Sequence, residues 1–281
     1  MGVARVAVLT VALLQAPGIA RAQPEPTSKP GSVKAALLRD GTAEYVRREN
    51  LGEIFGGISS VFAVAGIAVS PAVWEDDRPM GVTCAAGFGA GTAAVAGSLF
   101  ASRDVRGDVL TSVVFWNAGV FAVGVAVADD PLVPRVSSAG MAFGAFGTGI
   151  LRGVNMLSRR TPVSTLRLNL RRLDARAQRP LSDTELERME RDLLGVEAPL
   201  APWVVALPYL LGGAVSLAPA FDPDISDDER SWAGLLGGVG LLNGIFGLLT
   251  KDVATAYRER TASSGVSFNL GPGSLHGRYE F

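Results

Sequence analysis

Cysteine and histidine each occur once in this chain of 281 residues, as Cys84 and His276. One cysteine closes no intramolecular disulfide, and one cysteine with one histidine makes no Cys/His zinc site. A Ser-His-Asp or Cys-His pair would have a single imidazole to draw on, in the tail. Lysine is scarce too: Lys29, Lys34 and Lys251 are the only lysines among 26 basic residues. That skew toward arginine fits the coding bias of a GC-rich bacterial genome and says nothing about function. Charge as a whole is thin. Only 19% of residues are charged, and 27 acidic against 26 basic leaves a net charge of -1. So even a balance gives no basic footprint for nucleic acid. There is no P-loop and no dinucleotide fingerprint. No catalytic residue, cofactor or metal site is therefore expected.

Apolar residues and glycine are abundant instead. Mean hydropathy is +0.29, which is too apolar for a disordered chain or an ordinary soluble domain. Glycine is 34 of 281 residues, well above the usual share of about 7%. It has no collagen period, and it sits inside long apolar runs.

Residues 1–22 read as a signal peptide. Arg5 is a short positive n-region, Val6–Leu14 an apolar h-region, and Ala20-Arg21-Ala22 a small-x-small cleavage pattern. The apolar run is short for a span of about 20 residues. Residues 23–31 are then a Pro-rich, extended arm.

Six further segments are nearly uncharged and about 20 residues long, the length at which a helix crosses about 30 Å of hydrocarbon. They are Ile54–Val73, Met80–Ala101, Val109–Val127, Val136–Leu157, Leu200–Phe221 and Trp232–Thr250. Their apolar character runs all the way round, without the polar face of a soluble amphipathic helix. Arg152 falls near the end of the fourth and can snorkel outward. Small residues recur at helical spacing: Gly87 and Gly91 with Gly97 or Ser98; Gly140, Gly144 and Gly147; Gly237, Gly240 and Gly244. Such seams let helix backbones approach closely.

Short acidic turns containing proline join the segments in pairs, at 74–79, 129–135 and 222–230. The expected fold is an all-α membrane protein of six transmembrane helices in three hairpins, with a small C-terminal β-hairpin. Its parts are the signal peptide 1–22, an arm and short helix over 23–53, hairpins one and two over 54–157, a basic loop with an amphipathic helix over 158–199, hairpin three over 200–250, and a tail over 251–281.

Sidedness is contested by two arguments. The three turns hold ten acidic residues and only Arg78, Arg135 and Arg230; outside the signal, the remaining 21 basic residues lie elsewhere. The positive-inside rule places the turns outside the cell. A cleaved signal peptide places residue 23 outside, which is the opposite. Either way the arm, the 102–108 link, the 158–199 loop and the tail share one side. The expected location is a bacterial envelope membrane, with the inner membrane favoured over the outer.

On that side, residues 32–50 read as a short amphipathic helix, weakened in its middle by Gly41. Residues 164–170 fit strand or helix. Ser182 with Glu185 forms a capping box ahead of a helix that carries Leu186, Met189, Leu193 and Leu194 on one stripe and stops near Gly195. Arg159, Arg160, Arg167, Arg171, Arg172 and Arg176 are candidate contacts for lipid headgroups or a partner. The plainer reading is a solvated face partnered by Glu185, Glu187, Glu190 and Asp192.

In the tail, Val266, Phe268 and Leu270 alternate with polar residues, as do Leu275, Gly277, Tyr279 and Phe281 around a Gly-Pro-Gly turn. This predicts a β-hairpin whose apolar side chains, including Phe268, Tyr279 and Phe281, rest on a surface. A terminal Phe also resembles the last strand of an outer-membrane barrel. The absence of strict alternation elsewhere and the sparse aromatics argue against a barrel.

Asn117, Asn155 and Asn243 are the polar residues set deepest in the apolar segments. They either hydrogen-bond between helices or line a solute path. The leading functional expectation is non-enzymatic: a structural or docking subunit of an envelope assembly, with membrane lipid and a homo-oligomer or envelope protein as partners. The alternative is a small channel or facilitator.

Overall fold

A computed structural model describes residues 30–129, 133–175, 181–249, 251–263, 266–268 and 277–279. Described residues are helical almost throughout. In chain order the helices are α1 (Pro30–Asp76), α2 (Arg78–Ser98), α3 (Arg103–Val127), α4 (Arg135–Leu157), α5 (Val163–Asp174), α6 (Asp183–Leu194), α7 (Pro202–Leu217), α8 (Asp227–Leu249) and α9 (Val253–Ser263), with a 3-10 turn at Ala218–Phe221. The expected signal peptide lies outside the described residues.

Five helical stretches are long and apolar enough to cross a membrane: Val33–Ser70, Arg78–Ser98, Arg103–Val127, Pro202–Phe221 and Asp227–Ala262. The fourth expected span, Val136–Leu157, forms a helix of sufficient length, α4, but falls short in hydropathy. Ser137, Ser138, Thr148, Arg152 and Asn155 interrupt its apolar residues, and several of these polar groups face inward.

The chain divides into two units. One comprises Glu49–Leu157 and Pro199–Thr250. The other comprises the described parts of Gly18–Arg48, Ser158–Ala198 and Lys251–Phe281. Helix α1 gives its first turns to the second unit and the rest to the first.

In the helical unit, α2 packs on α3, α3 on α4, α4 on α7, and α7 on α8. Glycine makes these approaches possible. A Cβ on Gly140 would sit 2.6 Å from the carbonyl oxygen of Gly212, and one on Gly240 would sit 2.7 Å from the Cα of Gly213. The seams at Gly140 and Gly240 are thus contacts within this chain at backbone-to-backbone distance, whereas Gly87 and Gly91 meet the side chains of Val120, Trp116 and Asn117. Gly97 is the exception, with nothing near it. Large apolar side chains such as Ile58, Phe62, Phe143, Ile150, Leu211 and Leu249 point away from the packed interior and are exposed.

The first acidic turn is tighter than expected. Asp77 alone separates α1 from α2; it caps α2 by accepting from the Met80 N–H through Oδ1, and Pro79 occupies the first turn. Its Oδ2 accepts from the Asp129 N–H at 2.8 Å, which joins the first acidic turn to the second. Ser137, just after the second turn, is bonded to Ser216, just before the third. All three acidic turns therefore lie at one end of the helical unit.

The second unit has its own core. Leu38, Leu166, Leu173 and Leu193 are completely buried together with Val163, Met189, Val253 and Tyr257. Burying each such leucine contributes about 1.5–3 kcal/mol. Residues 163–174 are helical: Val163, Leu166, Leu170 and Leu173 share one face, while Leu168 is exposed. The capping box at Ser182 and Glu185 is present, and α6 ends at Gly195. The expected short helix over 32–50 is the start of an unbroken 47-residue helix. Gly41 does not weaken it visibly; it lets the Leu193 and Tyr257 side chains close in, at 3.0 and 3.7 Å from where its Cβ would be.

The expected C-terminal β-hairpin is not supported as an element of the fold. Only Val266–Phe268 and Gly277–Tyr279 are described, as a three-residue antiparallel register, and the turn between them lies outside the described residues. The helical course of the apolar segments likewise removes the β-barrel alternative for those residues.

Candidate functional site

The deep asparagines fall in three different settings. Asn117 on α3 donates from Nδ2 to the Ser59 carbonyl at 3.1 Å and to Ser59 Oγ at 3.0 Å, so it ties α3 to α1. Trp116 beside it donates from Nε1 to the Gly87 carbonyl of α2 at 2.8 Å. Asn155 is not deep: at the end of α4, its Oδ1 accepts from the Leu200 N–H just ahead of α7. Asn243 on α8 is 1% exposed, and neither its Oδ1 nor its Nδ2 has a partner. The Tyr209 hydroxyl on α7 is also buried without one. Arg152 does not simply snorkel outward; its guanidinium lies 5.1 Å from the centre of the Phe115 ring.

Two further interhelical pairs went unread in the sequence. Ser137 Oγ donates to the Ser216 carbonyl and Ser216 Oγ donates to the Ser137 carbonyl, both at 2.7 Å. Thr148 Oγ1 donates to the Val205 carbonyl in the turn before Pro208. Ser226 and Glu229 form a second capping box at the start of α8, with the same Ser-x-x-Glu spacing as Ser182 and Glu185. That spacing was legible, within the third acidic turn.

The second unit holds a buried polar cluster. Lys34 Nζ lies 2.7 Å from Glu190 Oε2, with the two side chains 7% and 13% exposed. The Tyr257 hydroxyl donates to Glu190 Oε1 at 2.9 Å. One carboxylate thus joins α1, α6 and α9. Asn169 donates to Asp192, and Arg39 donates to Asp174. At the surface, Arg258 clasps Glu197 with both Nη atoms at 2.6 Å, which holds the Glu197 carboxyl below its ordinary range.

The arginine cluster is spread out. Arg159 donates to the Tyr45 hydroxyl at 3.0 Å. Arg160, Arg171 and Arg172 are exposed, the last two in the final turn of α5, where cations favour the helix dipole. Arg167 is half-buried on α5, and Arg176 lies outside the described residues. Phe268 and Tyr279 are placed only by their backbone, and Phe281 and His276 lie outside the described residues. Cys84 is buried, its Sγ 2.9 Å from where a Cβ on Gly124 would be. Among the described residues no group of three His, Cys, Asp or Glu is placed to hold a metal ion. The chain matches no protein-family model, no curated protein and no solved structure.

Proposed function

We propose that this chain is an integral membrane protein of the bacterial envelope with a non-enzymatic role, as a structural or docking subunit of a membrane assembly. The observation that carries this reading is the division of the surface. The helical unit turns large apolar side chains outward on α1, α4, α7 and α8, while the second unit closes its own core and turns charge outward. The first surface suits lipid; the second suits a protein partner or a headgroup layer. The polar groups of the interior support the same reading. Asn117, Ser137, Ser216, Lys34, Glu190 and Tyr257 are committed to holding helices together.

The test is cross-linking in intact membranes followed by purification, with the full chain and with residues 264–281 removed. A discrete cross-linked partner that disappears with the tail supports the docking role. A full chain that stays monomeric under the same cross-linking contradicts it.

One observation favours a second reading, a small channel or facilitator. Asn243 is fully buried with both amide atoms unpartnered, which is costly unless something polar visits it. Flux of small polar solutes into liposomes holding the purified chain, lost in Asn243→Leu, would support that reading over the first.

A further inference from the structure

At the end of the helical unit opposite the acidic turns, the start of α3 faces the middle of α1. Glu53, Arg103, Arg106, Gly107 and Leu110 line a cleft there of about 350 Å³. That volume lies within the range of small-molecule sites, about 300–1,000 Å³. Gly107 leaves room for the Glu53 side chain, since a Cβ there would sit 2.7 Å from Glu53 Oε1. The Glu53 carboxylate forms one wall.

The arginines form the other wall, and their donors are under-used. Arg106 donates from Nη2 to the Leu99 carbonyl at 3.1 Å, while its Nε is buried with no acceptor. Arg103 is exposed, in the first turn of α3. Arg106 gives one Nη2 hydrogen to Leu99, and its remaining Nη hydrogens can donate to a phosphate oxygen in the cleft. The adjoining link fixes the setting. Phe100 is 95% exposed and Leu99 is 58% exposed, beside the carbonyl that Arg106 grips. Two cations next to bare apolar side chains match the boundary between headgroups and acyl chains, not a site for a free anion in water.

We propose that this cleft binds the headgroup of a phosphatidylethanolamine-type lipid. The phosphate sits on Arg103 and Arg106, and the primary ammonium donates to Glu53. The acid beside two arginines is what selects the class: a purely anionic headgroup would meet Glu53 unfavourably, and a quaternary ammonium has no N–H to give it. This inference rests on the membrane reading above, and on residues separate from the Arg159–Arg176 cluster.

The test is native mass spectrometry of the full purified chain, titrated with equal amounts of phosphatidylethanolamine, phosphatidylcholine and phosphatidylglycerol, with a parallel arm in inorganic phosphate. Phosphatidylethanolamine should be retained preferentially. Arg103→Gln, an exposed change that leaves folding intact, should weaken that retention about fivefold, the effect of losing one cation at a lipid surface. Glu53→Gln should erase the preference for phosphatidylethanolamine over phosphatidylglycerol. Equal retention of the three lipids, indifference to Arg103→Gln, or displacement of the lipid by millimolar inorganic phosphate would each overturn the proposal. Carbonate washing of membranes carrying the same variants keeps the two questions apart. A chain that stays in the membrane but shows no headgroup preference sinks only this site; a chain that washes off sinks the membrane reading.

Discussion

Ser137 on α4 and Ser216 on α7 each donate a hydroxyl hydrogen to the other's backbone carbonyl, at 2.7 Å in both directions. Both residues are fully buried. A serine hydroxyl in an apolar interior must find an acceptor, and here each helix supplies the other's. The pair fixes α4 against α7 at the end that carries the acidic turns. Ser137→Ala and Ser216→Ala should each cost about 1 kcal/mol in detergent unfolding. The double variant should reveal a coupling of at least about 0.5 kcal/mol, because the two bonds share one contact. Strict additivity would mean the two bonds form independently.

Glycine contacts along the same interface are a second, sharper test. Gly140 approaches the Gly212 carbonyl so closely that any side chain overlaps backbone, which has no room to yield. Gly140→Val should destabilise the chain by about 3 kcal/mol or prevent assembly of α4 on α7. Gly97→Val, with nothing nearby, should change stability by less than about 0.5 kcal/mol. Thermal unfolding of the two variants side by side gives the comparison.

In the second unit, Lys34 and Glu190 form a buried ion pair, and Tyr257 shares the carboxylate. Lys34→Ala leaves that carboxylate with only a hydroxyl donor. A loss of about 3–5 kcal/mol is expected for breaking one side of a buried pair. Restoring most of that stability by adding Glu190→Gln would show that the unpaired charge, not the lost side chain, is the cost. Denaturant unfolding of both variants measures it.

The surface pair behaves differently. Arg258 depresses the Glu197 carboxyl, so this pair stabilises the folded chain above the unfolded carboxylate range. That stability is lost as pH falls through the lowered folded value. Because both side chains are about half exposed, the contribution should be under about 1 kcal/mol and should shrink in high salt. Comparing wild type with Arg258→Ala at neutral and at acidic pH reads it: the difference should vanish in acid.

Much of the fold was legible because its signals are local and repeated. The apolar lengths and the Ser182 capping box each rest on a run of a few residues, and their described residues form helices and a cap where expected, while the first acidic turn shrinks to Asp77. The glycine seams were legible as spacing, though not as to which helix fills each one. What remained hidden depends on contacts across the chain. Ser137 and Ser216 are unremarkable residues until two helices cross at them. Gly41 looked like a weak point because its propensity is visible and Leu193, which packs on it, is far away in sequence. Residues 164–170 stayed ambiguous because Leu166, Leu168 and Leu170 alternate, and only burial shows that Leu168 faces out. The Arg103–Glu53 cleft was missed for the same reason. Its acid sits on α1, its arginines on α3, and the glycine that lets them meet carries no chemistry of its own.

The proposed membrane placement of the helical unit puts its acidic turns together on one side. Cysteine scanning of intact cells tests it most directly, in a Cys84→Ala background with a membrane-impermeant thiol reagent. Single cysteines at Asp76, Asp129 and Asp224 should label together, from the same side, and cysteines at Phe62, Phe143 and Leu211 should stay unlabelled until the membrane is dissolved. Turn positions that label from opposite sides, or rapid labelling at Phe62 and Phe143 in sealed cells, would rule out this membrane placement.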